Sequence, residues 1–189
     1  MTRKASALVK ATAAAAIVFS ASPALASTQA GSTITNSVTV NYQVGGFSQT
    51  AATASDTLTV DRKVALTVAE VGTTTTTVSP GQTSAVTTFT VTNNSNATLD
   101  FALSAAQLAT GASGAHSNSD SFDATGLKIY VDSDSSGTFN AGDQEVGYLD
   151  ELAGDGGSRT VFVVVNIPTG LSTGAVAAVT LQATAQGGG

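Results

Sequence analysis

The sequence predicts an all-β protein built as an antiparallel β-sandwich, and three observations lead to that prediction. Short runs rich in Val and Thr alternate apolar with polar residues, which is the period of a half-buried strand. Gly, Asn, Asp and Pro separate these runs, as turn residues do. No stretch has the spacing of the helices that a parallel α/β sheet would need between its strands. Two antiparallel sheets that each bury one face satisfy all three observations.

Residues 1–26 have the features of a cleaved signal peptide. Arg3, Lys4 and Lys10 give a basic start, residues 11–20 are apolar, and Ala24-Leu25-Ala26 fits a cleavage site. The apolar stretch is shorter than the 20 or so residues of a membrane anchor. We therefore expect export by the general secretory route to the extracellular space or the cell surface, with the periplasm as the alternative. No stable membrane insertion is expected after cleavage.

Residues 27–62 predict a strand or hairpin region joined to the sandwich. The apolar positions of Val38–Val44 alternate, Gly45-Gly46 is a tight-turn signal, and Phe47–Ala54 can return as the second arm. This region is too short to bury a core of its own. Asp61-Arg62-Lys63 is the predicted boundary with the sandwich.

Residues 63–186 contain the predicted sandwich itself, and the glycines at 187–189 predict a linker-like tail. The small, polar stretch Ser104–Phe122 predicts a long loop, with one helical turn near Ala105–Leu108 as an option. The predicted strands lie at Val64–Val68, Val86–Thr92, Leu99–Leu103, Leu127–Val131, Val146–Leu149, Thr160–Ile167 and Val176–Ala183.

The charge balance disfavours nucleic acid as a partner. The whole chain has a net charge of −6, and without the signal peptide four basic residues face thirteen acidic ones, which gives −9. The four remaining basic residues are scattered, so no patch can neutralise a row of phosphates. Nine of the thirteen acidic residues lie between Asp120 and Asp155. Such a local concentration of carboxylates favours the binding of a cation.

The segment DSDSSGTFNAGD at 132–143 matches the twelve-position calcium loop. Gly137 stands at the sharp turn of that loop, so that oxygens two residues apart converge on one hard cation. Asp143 replaces the usual bidentate Glu, and Glu145, just outside the loop, is the residue expected to compensate. A polar turn that needs no metal is the competing interpretation. The predicted calcium ligands are Asp132, Asp134, Ser136, the Thr138 carbonyl, Asn140 and Asp143.

A second metal site is a weaker hypothesis, since an exposed acidic loop explains the same residues. Its candidate ligands are Asp120, Asp123, Asp150, Glu151 and Asp155.

No catalytic residue and no organic cofactor is predicted, and we expect the protein not to be an enzyme. The chain has no Cys, and its single histidine, His116, lies in a Gly/Ser/Asn-rich loop. No Ser stands in a G-x-S-x-G elbow. Asp150 and Glu151 are sequence neighbours, whereas a glycosidase pair must face each other across a cleft.

Three segments resemble the immunoglobulin-like conserved-repeat domains of bacterial surface and exported proteins. They are Phe89–Phe101 (FTVTNNSNATLDF), Val164–Pro168 (VVNIP) and Gly174–Leu181 (GAVAAVTL), and the resemblance covers about Val64–Ala185. It implies an immunoglobulin-like sandwich with a structural role, as in stalks, adhesins and envelope modules. The loop at 132–143 is similar to calcium loops in some surface-repeat proteins.

The expected function is that of an exported structural or adhesive module of the cell surface, stabilised by calcium. Its expected partners are other surface or matrix proteins, or copies of itself. The alternative is a subunit of an extracellular fibre, in which Thr33–Val44 adds to a neighbour's sheet edge. A carbohydrate-binding module is the third class, and three Tyr without any Trp argue against it.

Overall fold

A computed structural model describes residues 27–187. The predicted signal peptide and the last two glycines lie outside these residues. The prediction of an all-β chain with antiparallel sheets is confirmed. Between residues 27 and 187 there is no α-helix, and the one helical turn is a 3₁₀ turn at Ala115–Ser117. Within the same range, no helix is long and apolar enough to cross a membrane.

Twelve strands are present in this part of the chain. They are β1 (Thr33–Val40), β2 (Gln43–Val44), β3 (Phe47–Ser48), β4 (Ala52–Thr59), β5 (Leu66–Glu70), β6 (Ala85–Asn93), β7 (Leu99–Gln107), β8 (Thr125–Val131), β9 (Gln144–Glu145), β10 (Tyr148–Leu152), β11 (Gly157–Asn166) and β12 (Val179–Gln186).

Two antiparallel sheets pack face to face and give a sandwich-like architecture. One sheet has the order β5-β6-β11-β8-β9, and the other has the order β10-β7-β12. Both sheets contribute to the main core, because apolar side chains alternate inward along each strand. The buried members of this core are Val91, Leu99, Phe101, Leu103, Leu149, Leu152 and Val161.

Strand β11 is the central strand of the five-stranded sheet. It pairs with β6 on one side and with β8 on the other. Val161, Phe162 and Val163 have no exposed surface, which accounts for the continuous apolar run in the sequence. Val161 packs in the core between the sheets, whereas Phe162 faces the opposite side of its sheet.

The predicted loop Ser104–Phe122 begins later than expected. Strand β7 continues to Gln107, and Ala105 pairs with Leu181 of β12. The optional helical turn near Ala105–Leu108 is therefore wrong. Small alanine side chains have no strong preference for strands, and it is pairing with β12 that holds them extended.

The predicted hairpin is present, although its main second arm is β4 rather than Phe47–Ala54. Strands β1 and β4 pair over their whole length, from Thr33 opposite Thr59 to Val40 opposite Ala52. The glycines at 45 and 46 form the tip, between the short strands β2 and β3. Every residue of β1 and β4 is exposed, so the hairpin does not pack on the sandwich.

The two faces of the β1–β4 hairpin differ in chemistry. The pairing register places Ile34, Val38, Val40 and Leu58 on one side, which we call the apolar face. The opposite side, the hydroxyl face, contains only Ser and Thr: Thr33, Thr35, Ser37, Thr39, Thr53, Ser55, Thr57 and Thr59. Asn36 and Asp56 form a polar pair within the apolar face.

Asn96, in the turn between β6 and β7, fixes the base of the hairpin to the sandwich. Its side-chain nitrogen donates to the carbonyls of Thr28 and Asp61, each at 3.0 Å. Its side-chain oxygen accepts from the N–H of Lys63 at 2.8 Å. Asn96 is only 6% exposed, so these bonds are shielded from water. The hairpin thus projects from the end of the sandwich where this turn lies.

Candidate metal centre

The predicted calcium loop is the connection between β8 and β9. Tyr130 and Val131 pair with Glu145 and Gln144, which closes residues 132–143 at their base. Such closure brings the first and last predicted ligands, Asp132 and Asp143, close together. Because β8 is also paired with β11, the base of the loop is part of the five-stranded sheet.

Asp132 organises the first half of the loop. One of its carboxylate oxygens accepts from the N–H of Gly137 at 2.8 Å, and the other accepts from the N–H of Ser136 at 3.1 Å. Gly137 has φ 72°, a left-handed conformation that glycine adopts at little cost. The sharp turn expected at this glycine is therefore present in the structure.

Three of the predicted ligands converge on a single point in the loop. The side-chain nitrogen of Asn140 donates to Asp134 Oδ2 at 3.1 Å, to Ser136 Oγ at 3.1 Å and to the Thr138 carbonyl at 3.2 Å. A partly positive N–H group therefore lies where these oxygens meet. Oxygens that converge on one electropositive atom are the kind of donor that calcium binds, although calcium holds them at the shorter distance of about 2.3 to 2.6 Å.

Asn140 itself presents nitrogen rather than oxygen to this point. Its Oδ1 accepts from the N–H of Gly142 at 2.7 Å. An ion at the point of convergence requires the Asn140 side chain to turn over, at the expense of the Gly142 bond, or to swing outward and leave a water molecule in its place.

Asp143 closes the site from the C-terminal end of the loop. Its Oδ2 accepts from the N–H of Asn140 at 2.7 Å, and its Oδ1 accepts from the N–H of Ser133 at 3.2 Å. One oxygen each from Asp132, Asp134 and Asp143 lies within 4.8 Å of the others. Three negative charges at this separation repel one another, and a divalent cation removes that repulsion.

Hydrogen bonds favour the ionised form of Asp134. The Ser136 side chain is the largest cause, followed by the Asn140 side chain and the Ser136 N–H, and together they lower the pKa of Asp134 below its usual value. A carboxylate that stays ionised under mildly acidic conditions remains available to a metal ion.

Phe139 is a residue of this loop that the sequence reasoning missed. Its ring lies 4.9 Å from the ring of Tyr130 and 5.9 Å from that of Phe162, measured between centroids. Because Phe162 belongs to the central strand β11, this contact joins the loop to the body of the sheet. The only signal in the sequence was one aromatic residue in an otherwise polar loop.

Glu145 and the second acidic group do not extend this site. Glu145 forms an ion pair with Lys128 at 2.7 Å. Among residues 27–187, the only three carboxylates close enough to share an ion are those of Asp132, Asp134 and Asp143. The five residues of the second predicted site are thus not assembled: Asp120, Asp123, Asp150, Glu151 and Asp155.

Asp120 and His116 have structural partners instead. Asp120 is 2% exposed; its Oδ1 accepts from the N–H of Ala178 at 2.7 Å, whereas its Oδ2 is buried without a hydrogen-bond partner. His116 Nε2 lies 3.2 Å from the carboxylate of Glu70. His116 thus ties the 3₁₀ turn to the end of β5.

No family model matches the chain, and no curated protein and no solved structure matches it either. The fold and the loop define the class of protein as an antiparallel, sandwich-like all-β module with a candidate cation site.

Proposed function

We propose that this chain is an exported structural or adhesive module of the cell surface, an immunoglobulin-like sandwich stabilised by calcium. The observation that carries the proposal is the convergence of Asp134, Ser136 and Thr138 on one point beside the carboxylates of Asp132 and Asp143. All five supply oxygen, which calcium prefers.

Bound calcium would act on the fold rather than on a substrate. It joins both halves of the β8–β9 loop, so that Phe139 stays packed on Tyr130 and Phe162. It also neutralises three neighbouring carboxylates. Extracellular calcium modules bind with dissociation constants of about 0.1 to 1 mM, so the site is suited to the outside of a cell.

Calorimetric titration of the protein starting at Ser27 tests the site. We expect one calcium ion per chain and much weaker binding of magnesium, which requires a stricter octahedron and gives up water reluctantly. Asp134→Asn should abolish the calcium signal, whereas Asp150→Asn, an exposed carboxylate outside the loop, should leave it unchanged. Absence of binding at millimolar calcium contradicts the proposal.

Export is tested separately, by the intact mass of protein recovered from the culture medium and from the cell surface. We expect a chain that begins at Ser27, because the small residues Ala24 and Ala26 fit a signal peptidase. Recovery of protein that still contains residues 1–26 would contradict export.

A fibre subunit is the second candidate function, and the exposed hairpin favours it. Val38, Val40 and Leu58 are 58%, 52% and 58% exposed. A two-stranded hairpin is at best marginally stable in water, and it gains stability when its apolar side is covered. A neighbouring subunit is one means of covering it.

Two adjacent substitutions test the role of the hairpin in assembly. Val38→Glu places a charge on the apolar face, and Thr39→Glu places the same charge on the hydroxyl face. Negative-stain images should show fibres for the unmodified protein and for Thr39→Glu, and monomers for Val38→Glu. If the unmodified protein stays monomeric at high concentration, the fibre candidate fails and the calcium module remains.

A further inference from the structure

Strands β5 and β12 lie on the same side of the sandwich, where the segment around the 3₁₀ turn is held by the contacts of His116 with Glu70 and of Asn118 with Thr75. Among the described residues, β5 pairs only with β6 and β12 pairs only with β7, so each is the edge strand of its sheet. A groove of about 470 Å³ lies between them. Its apolar lining includes Val68, Val78, Phe89, Leu108, Val179 and Leu181.

Strand β12 lacks the protection that edge strands usually have. Its eight residues, VTLQATAQ, include no charge and no Pro. Natural edge strands are usually blunted by charges, Pro or bulges, since a free row of N–H and C=O groups pairs with any suitable strand. The inward-facing residues of β12, from Val179 to Ala185, are only half-buried. The inner face of β12 already packs on the core through Leu181, Ala183 and Ala185, so it is the free edge of β12 that has room for another strand.

The β1–β4 hairpin has the chemistry that docking at the groove and at the β12 edge requires. Strand β1 has eight residues, as β12 does, and the sequence TITNSVTV has neither charge nor Pro. The apolar face of the hairpin has aliphatic side chains that the apolar groove can bury. Its hydroxyl face is suited to the solvent-exposed side of a sheet. The titratable groups that line the groove, Glu70 and His116, already pair with each other, so the charge that the contact has to accommodate is that of Asp56, which lies beside Asn36 in the apolar face.

The hairpin does not occupy the groove of its own chain. Its base is held by Asn96, beyond the C-terminal end of β6, whereas the groove is lined by the N-terminal half of β6, from Ala85 to Phe89. The eight steps from Ala85 to Asn93 span about 26 Å. The groove and the base of the hairpin therefore lie toward opposite ends of β6, which favours contact between copies over contact within one chain.

We propose that the hairpin of a second copy docks in this groove, with its β1 strand paired along β12 and its apolar face turned inward. This inference rests on the fibre candidate above and names its acceptor. The hairpin and the groove are different surfaces, so a docked pair still has one free hairpin and one free groove. Such a head-to-tail contact propagates into a filament.

Cysteine cross-linking tests the pairing, because the natural chain contains no Cys. Ser37, in the middle of β1, lies on the hydroxyl face, and Thr180, Gln182 and Thr184 lie on the outer face of β12. Protein with Ser37→Cys is mixed with protein carrying Cys at one of these β12 positions and oxidised. The control partner is Ser158→Cys, an exposed position on β11 that pairs with Thr92 of β6 and is not part of the β12 edge.

We expect disulfide-linked dimers with at least one β12 variant, in at least tenfold higher yield than with the Ser158 control, because paired strands bring Cβ atoms within bridging range. If fibres form but Val38→Cys chains link only to each other, the hairpins contact one another. The groove is then not the acceptor, although the hairpin still mediates assembly. Absence of both fibres and cross-links would overturn the inference together with the fibre candidate.

Discussion

Neutralising one carboxylate of the β8–β9 loop should separate the calcium effect from the stability of the sandwich. Asp134→Asn removes a charge that lies within 4.8 Å of two others and keeps an oxygen for the Ser136 N–H. At 1 mM calcium and a dissociation constant of about 0.1 mM, binding adds roughly 1.4 kcal/mol to the free energy of unfolding. For a domain of this size, that gain raises Tm by about 3 to 6 °C.

The assay is a thermal melt of the protein from Ser27 onward, in 1 mM calcium and in chelator. The unmodified chain should show the full difference in Tm, and Asp134→Asn should show none. Asp134→Asn should lower the Tm less in chelator than in calcium, because relief of the repulsion with Asp132 and Asp143 offsets part of the loss of the hydrogen-bonded, charged carboxylate. Asp150→Asn serves as the control and keeps the difference. Equal Tm values for the unmodified chain in calcium and in chelator would refute the reasoning.

Three further expectations concern other contacts of the molecule. Asn96→Ala removes three partly buried hydrogen bonds at the hairpin base and should lower the free energy of unfolding by about 1 to 3 kcal/mol in urea titrations. Asn94→Ala, whose side chain makes one exposed bond, should change it by under about 0.5 kcal/mol. Gly154→Ala places a Cβ 2.6 Å from a backbone oxygen of the β6–β7 turn and should cost about 1 to 3 kcal/mol, whereas Gly147→Ala meets nothing within 4 Å and should be neutral by the same measurement. Hydrogen bonds lower the pKa of Asp134 in the folded state below its unfolded value of 3.8. The ionised carboxylate therefore stabilises the fold above pH 3.8, and this stabilisation is lost as the pH falls through the folded pKa. A Tm series between pH 5 and pH 2 in chelator should show a fall in Tm that Asp134→Asn lacks.

The strands were predictable because their signal is local. Alternation along β6 and the apolar run of β11 identify strands from a few neighbouring residues, and the structure has strands at both places. The end of β7 was missed because Ala105 and its neighbours have no strand signal of their own. Their extended conformation depends on β12, more than 70 residues away in the sequence.

The candidate site shows the same division between local and distant contacts. Its six predicted ligands lie within twelve consecutive residues, so the loop pattern in the sequence already placed them together. The contacts of Phe139 with Tyr130 and Phe162 were not visible in that pattern, since Phe162 lies on another strand. The orientation of the Asn140 amide also depends on the folded loop, where Gly142 holds its oxygen.

The sequence by itself determined the all-β class, the hairpin turn at the two glycines and the spacing of the loop ligands, because each depends on residues close together in the chain. Only the tertiary structure decided which strands form edges, how Asn96 holds residues 28, 61 and 63, and that a groove opens between β5 and β12. These features join segments that are 30 to more than 100 residues apart. Such contacts follow from how the two sheets pack, and no local period in the sequence encodes them.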